Sequence, residues 1–323
     1  MLFNFQLRPL SDVTPWVYSE QLYLQWFGLT EGCYWLQMND KDEFFRYSAD
    51  LLVYWQENYP TEPVRPPYAD YYVVRFWEDL LEEILPVILE PLHPRLAHML
   101  GTDELHRWQK RIKHWETLFE ADDDNDNNES DMEIWDTYMQ ATSWWYDRQL
   151  SAHPLLAPPR LWFWNDGHSI HAFWDNSQRD IDDIPAWTAQ RGRIQLTNPQ
   201  FLDEVHSFHT RFLATMEERI QEAKSTSMLT RQSRAQSPFL QPKPEGQKIY
   251  APHPQKGADP ARRFWPHPDI AINFDRLAEE QHHRTQLLAQ SLERTVSRSA
   301  TDWEAVFEAM GKMDDFSRFT PSE

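Results

Sequence analysis

Carboxylates supply the sharpest chemical signal in this sequence. Asp122, Asp123, Asp124, Asp126, Glu129 and Asp131 form an acidic tract between two stretches of helical spacing. Counted from Asp122, the residues Asp122, Asp124, Asp126 and Glu133 take the first, third, fifth and twelfth positions of a helix–loop–helix calcium loop. Such a loop needs hard oxygens and a closing bidentate Glu. Asn127 stands where that loop carries glycine, and Glu129 where it carries an apolar anchor. Asn tolerates the left-handed backbone, but nothing pins the loop. The tract therefore reads first as a solvated, partner-facing surface and only second as a calcium site; no metal or cofactor is assigned.

The histidines give a second set. His206 and His209 lie three apart with Asp203 one turn earlier, a spacing that suits a shared metal or an Asp–His acid–base unit. There is no H-E-x-x-H and no third ligand, and His209 falls near an apolar stripe, so a core histidine is expected. His282 and His283 diverge on a helix, and His168 and His171 flank a hairpin turn on opposite faces. Cys33 is the single cysteine, set among aromatic residues, and no G-x-S-x-G elbow is present. It reads as an inert buried thiol. Asp182-Asp183 is a loop carboxylate pair whose separation from other acids the sequence does not give. No catalytic residue is assigned. Trp162, Trp164, Trp174 and Trp187 crowd one hairpin and its exit. Of the adjacent Trp144 and Trp145, one indole must turn outward if the other turns inward, and Trp144 is taken as a partner-binding anchor.

These residues need elements to hold them. Alternation over Phe3–Arg8 predicts a strand stopped by Pro9. Gln25–Leu36 reads as two aromatic strands about a glycine turn, with a third at Glu43–Tyr47 and a proline loop from Tyr59 to Pro67. Val74, Trp77, Leu81, Ile84 and Ile88 keep helical spacing despite Pro86, which must kink or end that helix. Leu105, Trp108, Ile112, Trp115 and Phe119 line a second helix, and Trp135, Tyr138, Met139, Thr142 and Trp145 face inward on a third over Met132–Leu150. Asn165-Asp166-Gly167 joins two strands of a hairpin. Asn198-Pro199 opens a long helix striped by Leu202, Val205, Phe212, Met216 and Ile220. Two further helices are expected over Asp269–Ser297 and Asp302–Met313. The fold class is α+β: helix-rich, with a small antiparallel N-terminal sheet, a central β-hairpin and several packed helices. The main body is 1–224, a Pro-rich basic linker 225–265, and the C-terminal helices 266–323 pack back on the body.

Charge narrows the partners. The 323 residues carry 51 Asp+Glu against 31 Lys+Arg, a formal charge of −20, and the pI is about 5.0. That surface repels nucleic acid and anionic membrane and favours a basic protein partner. The linker holds seven Lys/Arg against Glu245 and Asp259, a local charge of 7 − 2 = +5. With 8 glycines in no G-x-G-x-x-G or P-loop arrangement, nucleotide motifs are absent. No signal peptide or membrane span is read at the N-terminus, and a mean hydropathy of −0.73 with one free thiol points to a cytoplasmic location.

Arg8-Pro-Leu, Pro15-Trp16, Trp26-Phe-Gly-Leu-Thr30, Gly32 and Tyr34-Trp35 together give the pattern R-P-L…P-W…W-F-G-L-T-x-G-x-Y-W. Trp162-Phe-Trp164, Trp174-Asp-Asn176, Ile184-Pro-Ala-Trp187, Val205…Phe208-His209 and Thr301-Asp302-Trp303 extend it along most of the chain. In these motifs the sequence resembles an uncharacterised bacterial domain family of unknown function. The resemblance implies a shared fold and carries no catalytic residue.

The expected function is accordingly non-enzymatic protein binding: a cytoplasmic immunity protein that neutralises a basic toxin domain by occluding its active site. A hydrolase-like enzyme with an Asp/His or carboxylate site is the alternative.

Overall fold

The structure is a computed structural model, and the residues it describes are 2–18, 21–39, 42–100, 103–121, 129–152, 154–235 and 270–314. It is an α+β fold built around two hydrophobic cores.

The first core begins with β1 (Leu2–Leu7), which follows β alternation and pairs antiparallel with β4 (Glu31–Gln37). Between them lie β2 (Trp16–Tyr18) and β3 (Gln21–Leu24), themselves an antiparallel pair. The expected strand ahead of β4 is instead a 3-10 turn, Gly28–Thr30, closed by the Thr30 hydroxyl donating to the Phe27 carbonyl at 2.7 Å. On its other side β4 pairs with the short β5 (Glu43–Phe44) and with β6 (Ala69–Tyr72). Ser48 caps α1 (Ala49–Asn58), accepting from the Leu51 N–H.

The Pro86 problem is solved by widening the helix. After α2 (Val73–Glu78) the chain runs as a π-helix over Asp79–Ile84 and resumes as α3 (Leu85–Ile88). The Leu85 N–H reaches back five residues to the Leu80 carbonyl. Proline cannot donate to a carbonyl four residues behind it, so a locally wider turn wastes less backbone pairing.

The second core is helical. It gathers α4 (Pro94–Met99), α5 (Asp103–Ala121) and α6 (Glu129–Tyr146). The Trp108 ring meets Trp144, while Glu116 reaches Tyr138, so α5 and α6 run antiparallel. A three-stranded sheet separates the two cores. β7 (Leu161–Asn165) and β8 (Ser169–Asp175) form the expected hairpin, with Gly167 at φ +94 in its turn. A small hairpin of β9 (Asp180–Ile181) and β10 (Ile184–Pro185) follows, then β11 (Arg191–Thr197) pairs along β8. Leu161, Phe163, Ile170, Ala172 and Trp174 enter the first core, and Trp162 and Trp164 the second. Period-2 alternation is the reason one hairpin serves both.

Asp182 and Asp183 have φ of 51 and 65, the two positive angles of a type I′ turn. The expected loop pair is thus the tip of the β9–β10 hairpin, with Asp182 accepting from the Tyr54 hydroxyl at 2.8 Å.

α7 (Asn198–Ala235) lays Phe201, Val205, Phe208, Phe212 and Met216 on the first core. It continues eleven residues past 224, the expected end of the body. Those residues carry no apolar stripe to announce them. The region expected as one helix from Asp269 divides into β12 (Ile270–Ile272), α8 (Phe274–Thr285) and α9 (Leu287–Ser297). β12 lies parallel to β3, a long-range pairing that helical periodicity cannot reveal. α10 (Trp303–Asp314) packs on α6 and is capped by Asp302, which accepts from the Ala305 N–H. α9 docks on the π-helix, where the Ser291 hydroxyl donates to the Leu81 carbonyl.

Candidate functional site

The α5–α6 hairpin turns four of its tryptophans inward and Trp135 outward. Trp108, Trp115, Tyr138, Trp144 and Trp145 fill the core between the helices and the sheet. Glu116 accepts from the Tyr138 hydroxyl at 2.9 Å and from the Tyr146 hydroxyl at 2.7 Å. Burial, assisted by Glu116, pushes the Tyr146 phenol up to about 12. On the solvent side of α6, Met132 is 66% exposed, Trp135 49% and Met139 46%. Spacings of three and four residues put these large apolar side chains on one stripe, with Asp136 exposed beside them. Along α5, Arg107, Lys110 and Lys113 face solvent beside exposed Glu104.

Several expected site residues are placed by these facts. Trp144 is not a surface anchor: it is 2% exposed, with Trp145 against its ring at 5.7 Å. Both indoles are buried because α6 is covered on two sides: Trp108 of α5 meets Trp144 at 6.3 Å, and Trp162 of β7 stacks on Trp145 at 4.5 Å. Trp135 and Met139, expected inward, take the outward positions instead. Asp122, Asp123, Asp124 and Asp126 lie outside the described residues. Glu129, Asp131 and Glu133 lie on α6, but their side chains are outside the described set. The calcium arrangement therefore falls beyond what the structure describes. Among the described residues, no group of three or more His, Cys, Asp or Glu could hold a metal ion.

The histidine pair on α7 comes apart. His206 is exposed, whereas His209 is buried, with Trp77 stacked on it at 5.6 Å and 18°. Burial, then the neighbouring His206, lowers the His209 pKa, as expected of a core imidazole. Cys33 is buried on β4, and burial, with Asp70 nearby, pushes its thiol up to about 11. Such a thiol is a poor nucleophile.

One assembled polar cluster escapes sequence reasoning. The Asp166 carboxylate accepts from His171 Nε2 at 2.6 Å, and Arg193 Nη2 donates to His171 Nδ1 at 2.9 Å. The guanidinium can only donate, so Nδ1 must be the acceptor and Nε2 must carry the proton. Trp164 stacks on the imidazole at 5.1 Å and 15°, and Arg193 lies over the same indole at 5.1 Å. Burial acts to raise the Asp166 pKa, but His171 and the N–H groups of His168 and Ser169 outweigh it and hold the carboxyl at about 2. Both imidazole nitrogens are committed, leaving no lone pair for a substrate proton. The Asp166–His171 pair thus holds Arg193 and is not arranged for acid–base work. The Asp-Gly turn placed Asp166 near His171 in the sequence, but Arg193 comes from a third strand whose register no local pattern shows.

The motifs that carry the resemblance all hold the fold. Arg8 bridges Glu31, at 2.7 Å, and Asp70. Gly32 lets β1 approach: a Cβ there would lie 2.3 Å from the Gln6 carbonyl oxygen. The Trp26 indole N–H donates to Gln281 on α8 at 2.8 Å, and Arg284 lies over the Trp26 ring at 4.3 Å. Asn176 accepts from the Arg160 N–H and donates to the Ala189 carbonyl, bracketing the turn between β8 and β11. The Trp187 N–H donates to the Ala157 carbonyl. Over residues 2–309 the sequence matches the family described as "Family of unknown function (DUF5984)". The chain belongs to that family. No curated protein and no solved structure matches it. The DUF5984 match ends within α10, so it takes in both hydrophobic cores and the α5–α6 hairpin. Among the described residues, no helix is long and apolar enough to cross a membrane.

Proposed function

We propose that this DUF5984 protein is a protein-binding protein, and specifically a cytoplasmic immunity protein that covers the active site of a basic toxin domain. The observation that carries the reading is the exposed Met132–Trp135–Met139 stripe on α6. It adjoins a stretch from Glu120 to Asp136 that contains nine acidic residues and no Lys or Arg. Large apolar side chains next in sequence to a run of one charge suit a partner interface: anchors for affinity, and a field for steering and choice of partner. In this reading Asp122, Asp123, Asp124, Asp126, Glu129 and Asp131 meet a basic surface, and Trp135 replaces Trp144 as the aromatic anchor. Calcium in the same tract would compete with that partner for the carboxylates.

The test is capture of a partner by the tagged protein at low salt, followed by titration of that partner's own activity. A basic partner that loses activity at one equivalent of this protein is the expected result. A partner that remains fully active when bound would overturn inhibition, and an acidic partner would overturn the charge argument.

A further inference from the structure

We propose that Arg193, on the open face of β11, is a second binding point on this protein, built to capture an oxyanion: a carboxylate or a phosphate group. Arg191, two residues away on the same strand, lies 3.8 Å from Asp175, and Arg284 engages Glu78 and Glu280. Arg193 makes no ion pair among the described residues. It is exposed, yet one donor of its Nη2 is fixed on His171 Nδ1 and its plane rests over Trp164. The holder, His171, is 3% exposed and is itself fixed by Asp166.

Burying an imidazole only to orient a surface guanidinium makes physical sense if that guanidinium has something to receive. A free arginine side chain loses rotamer freedom on binding, and here that loss is taken in advance by the His171 bond and the indole. The rest of the N–H fork is left for a ligand, and a planar fork suits two oxygens of one carboxylate or phosphate. The pairing also fixes the sign of the site. The neutral imidazole stands between the two charges, donating from Nε2 to Asp166 and accepting at Nδ1 from Arg193, so the guanidinium itself meets no carboxylate. Exposed Arg191 and Gln195 flank it on the same face of β11, since alternate residues of a strand share a face. Nothing in this site involves α6, so it stands independently of the proposed function.

The experiment is an NMR titration of the full chain carrying 15N-labelled arginine, following the Arg193 Nε–H resonance. Acetate represents a carboxylate source and inorganic phosphate a phosphate source, each against chloride at matched ionic strength. A saturable shift with acetate assigns the site to acidic polypeptide groups, and one with phosphate to phosphorylated groups. Arg193→Lys, an exposed change that keeps the charge but removes the fork, should weaken that binding by about tenfold. His171→Phe keeps the ring on Trp164 but frees the guanidinium and should weaken it comparably, provided its melting shows a folded chain. No saturable shift with either ion, a shift that chloride reproduces, or equal binding by Arg193→Lys would overturn the proposal. Loss of toxin-type binding elsewhere would leave it intact.

Discussion

Gln281→Met tests how the C-terminal helices are tied to the N-terminal block. Gln281 is 7% exposed and bridges two elements far apart in the chain. Its Oε1 accepts from the Trp26 indole at 2.8 Å, and its Nε2 donates to the Leu213 carbonyl at 2.9 Å. Methionine preserves most of the volume, so packing loss stays below about 1.5 kcal/mol. Both hydrogen bonds vanish; the buried Trp26 N–H is left without a partner, at about 1–3 kcal/mol, while the Leu213 carbonyl keeps its place in the α7 ladder. The expected loss is therefore about 1–4 kcal/mol, equivalent to a fall in Tm of about 2–8 °C. Urea unfolding of the wild type, Gln281→Met, Trp26→Phe and the double variant completes the cycle. Because the two residues share one bond, the double variant should be more stable than additivity predicts, by about 1 kcal/mol or more. A loss under about 0.5 kcal/mol, or strict additivity, would refute the claim that this bond joins α8 to the Trp26 block.

Three further expectations follow from local geometry. In Gly32→Ala the new Cβ meets backbone on both nearest sides, Gln6 O at 2.3 Å and Leu7 Cα at 2.8 Å, so β1 must shift. A loss of about 2–4 kcal/mol and early hydrogen exchange in β1 are expected, and unchanged melting would contradict the close approach. Asp183→Gly puts the preferred residue at φ 65 in the β9–β10 turn and should raise stability by about 0.5 kcal/mol; a lower Tm would argue against a type I′ turn. Asp79, pushed up to about 7 by burial and by Glu83 and Glu78, holds its proton more tightly folded than unfolded. Ionising it therefore costs native stability as pH rises from about 4 to 7. Asp79→Asn should match the wild type near the bottom of that window and exceed it by about 1 kcal/mol or more at pH 8, where a pH-independent difference would contradict the assignment.

Local pattern carried much of the fold because much of the fold is local. The β1 alternation, the Asp-Gly hairpin and the Asn198-Pro199 helix start are each written within a few residues. What escaped depends on distant pairing: β12 lies along β3 from the other end of the chain. The π-helix arises from one proline acting on a helix otherwise well formed by its apolar spacing. The inward face of α6 is not defined by its apolar spacing alone. Trp135 and Met139 fit the apolar stripe as well as Trp144 does, and only the placement of α10 and the sheet decides between them. The Asp166–His171–Arg193 cluster combines a turn residue, a residue of β8 and a residue of β11, which pairs with β8 in the sheet but follows two other strands in the chain. Two of the three were visible as a pair of hairpin neighbours, while the arginine that defines its chemistry was not.

The most direct test of the binding reading is the rate of association between this protein and its captured partner. It should be measured for the wild type and for Met132→Ser/Trp135→Ser/Met139→Ser, from low salt to about 0.5 M. The stripe is solvent-facing, so the triple variant should melt like the wild type. The account predicts that the wild-type rate falls by about tenfold or more across the salt range and that the folded triple variant loses binding. A salt-indifferent rate, or unchanged binding by the triple variant, would contradict the claim that α6 and its acidic approach form the partner surface.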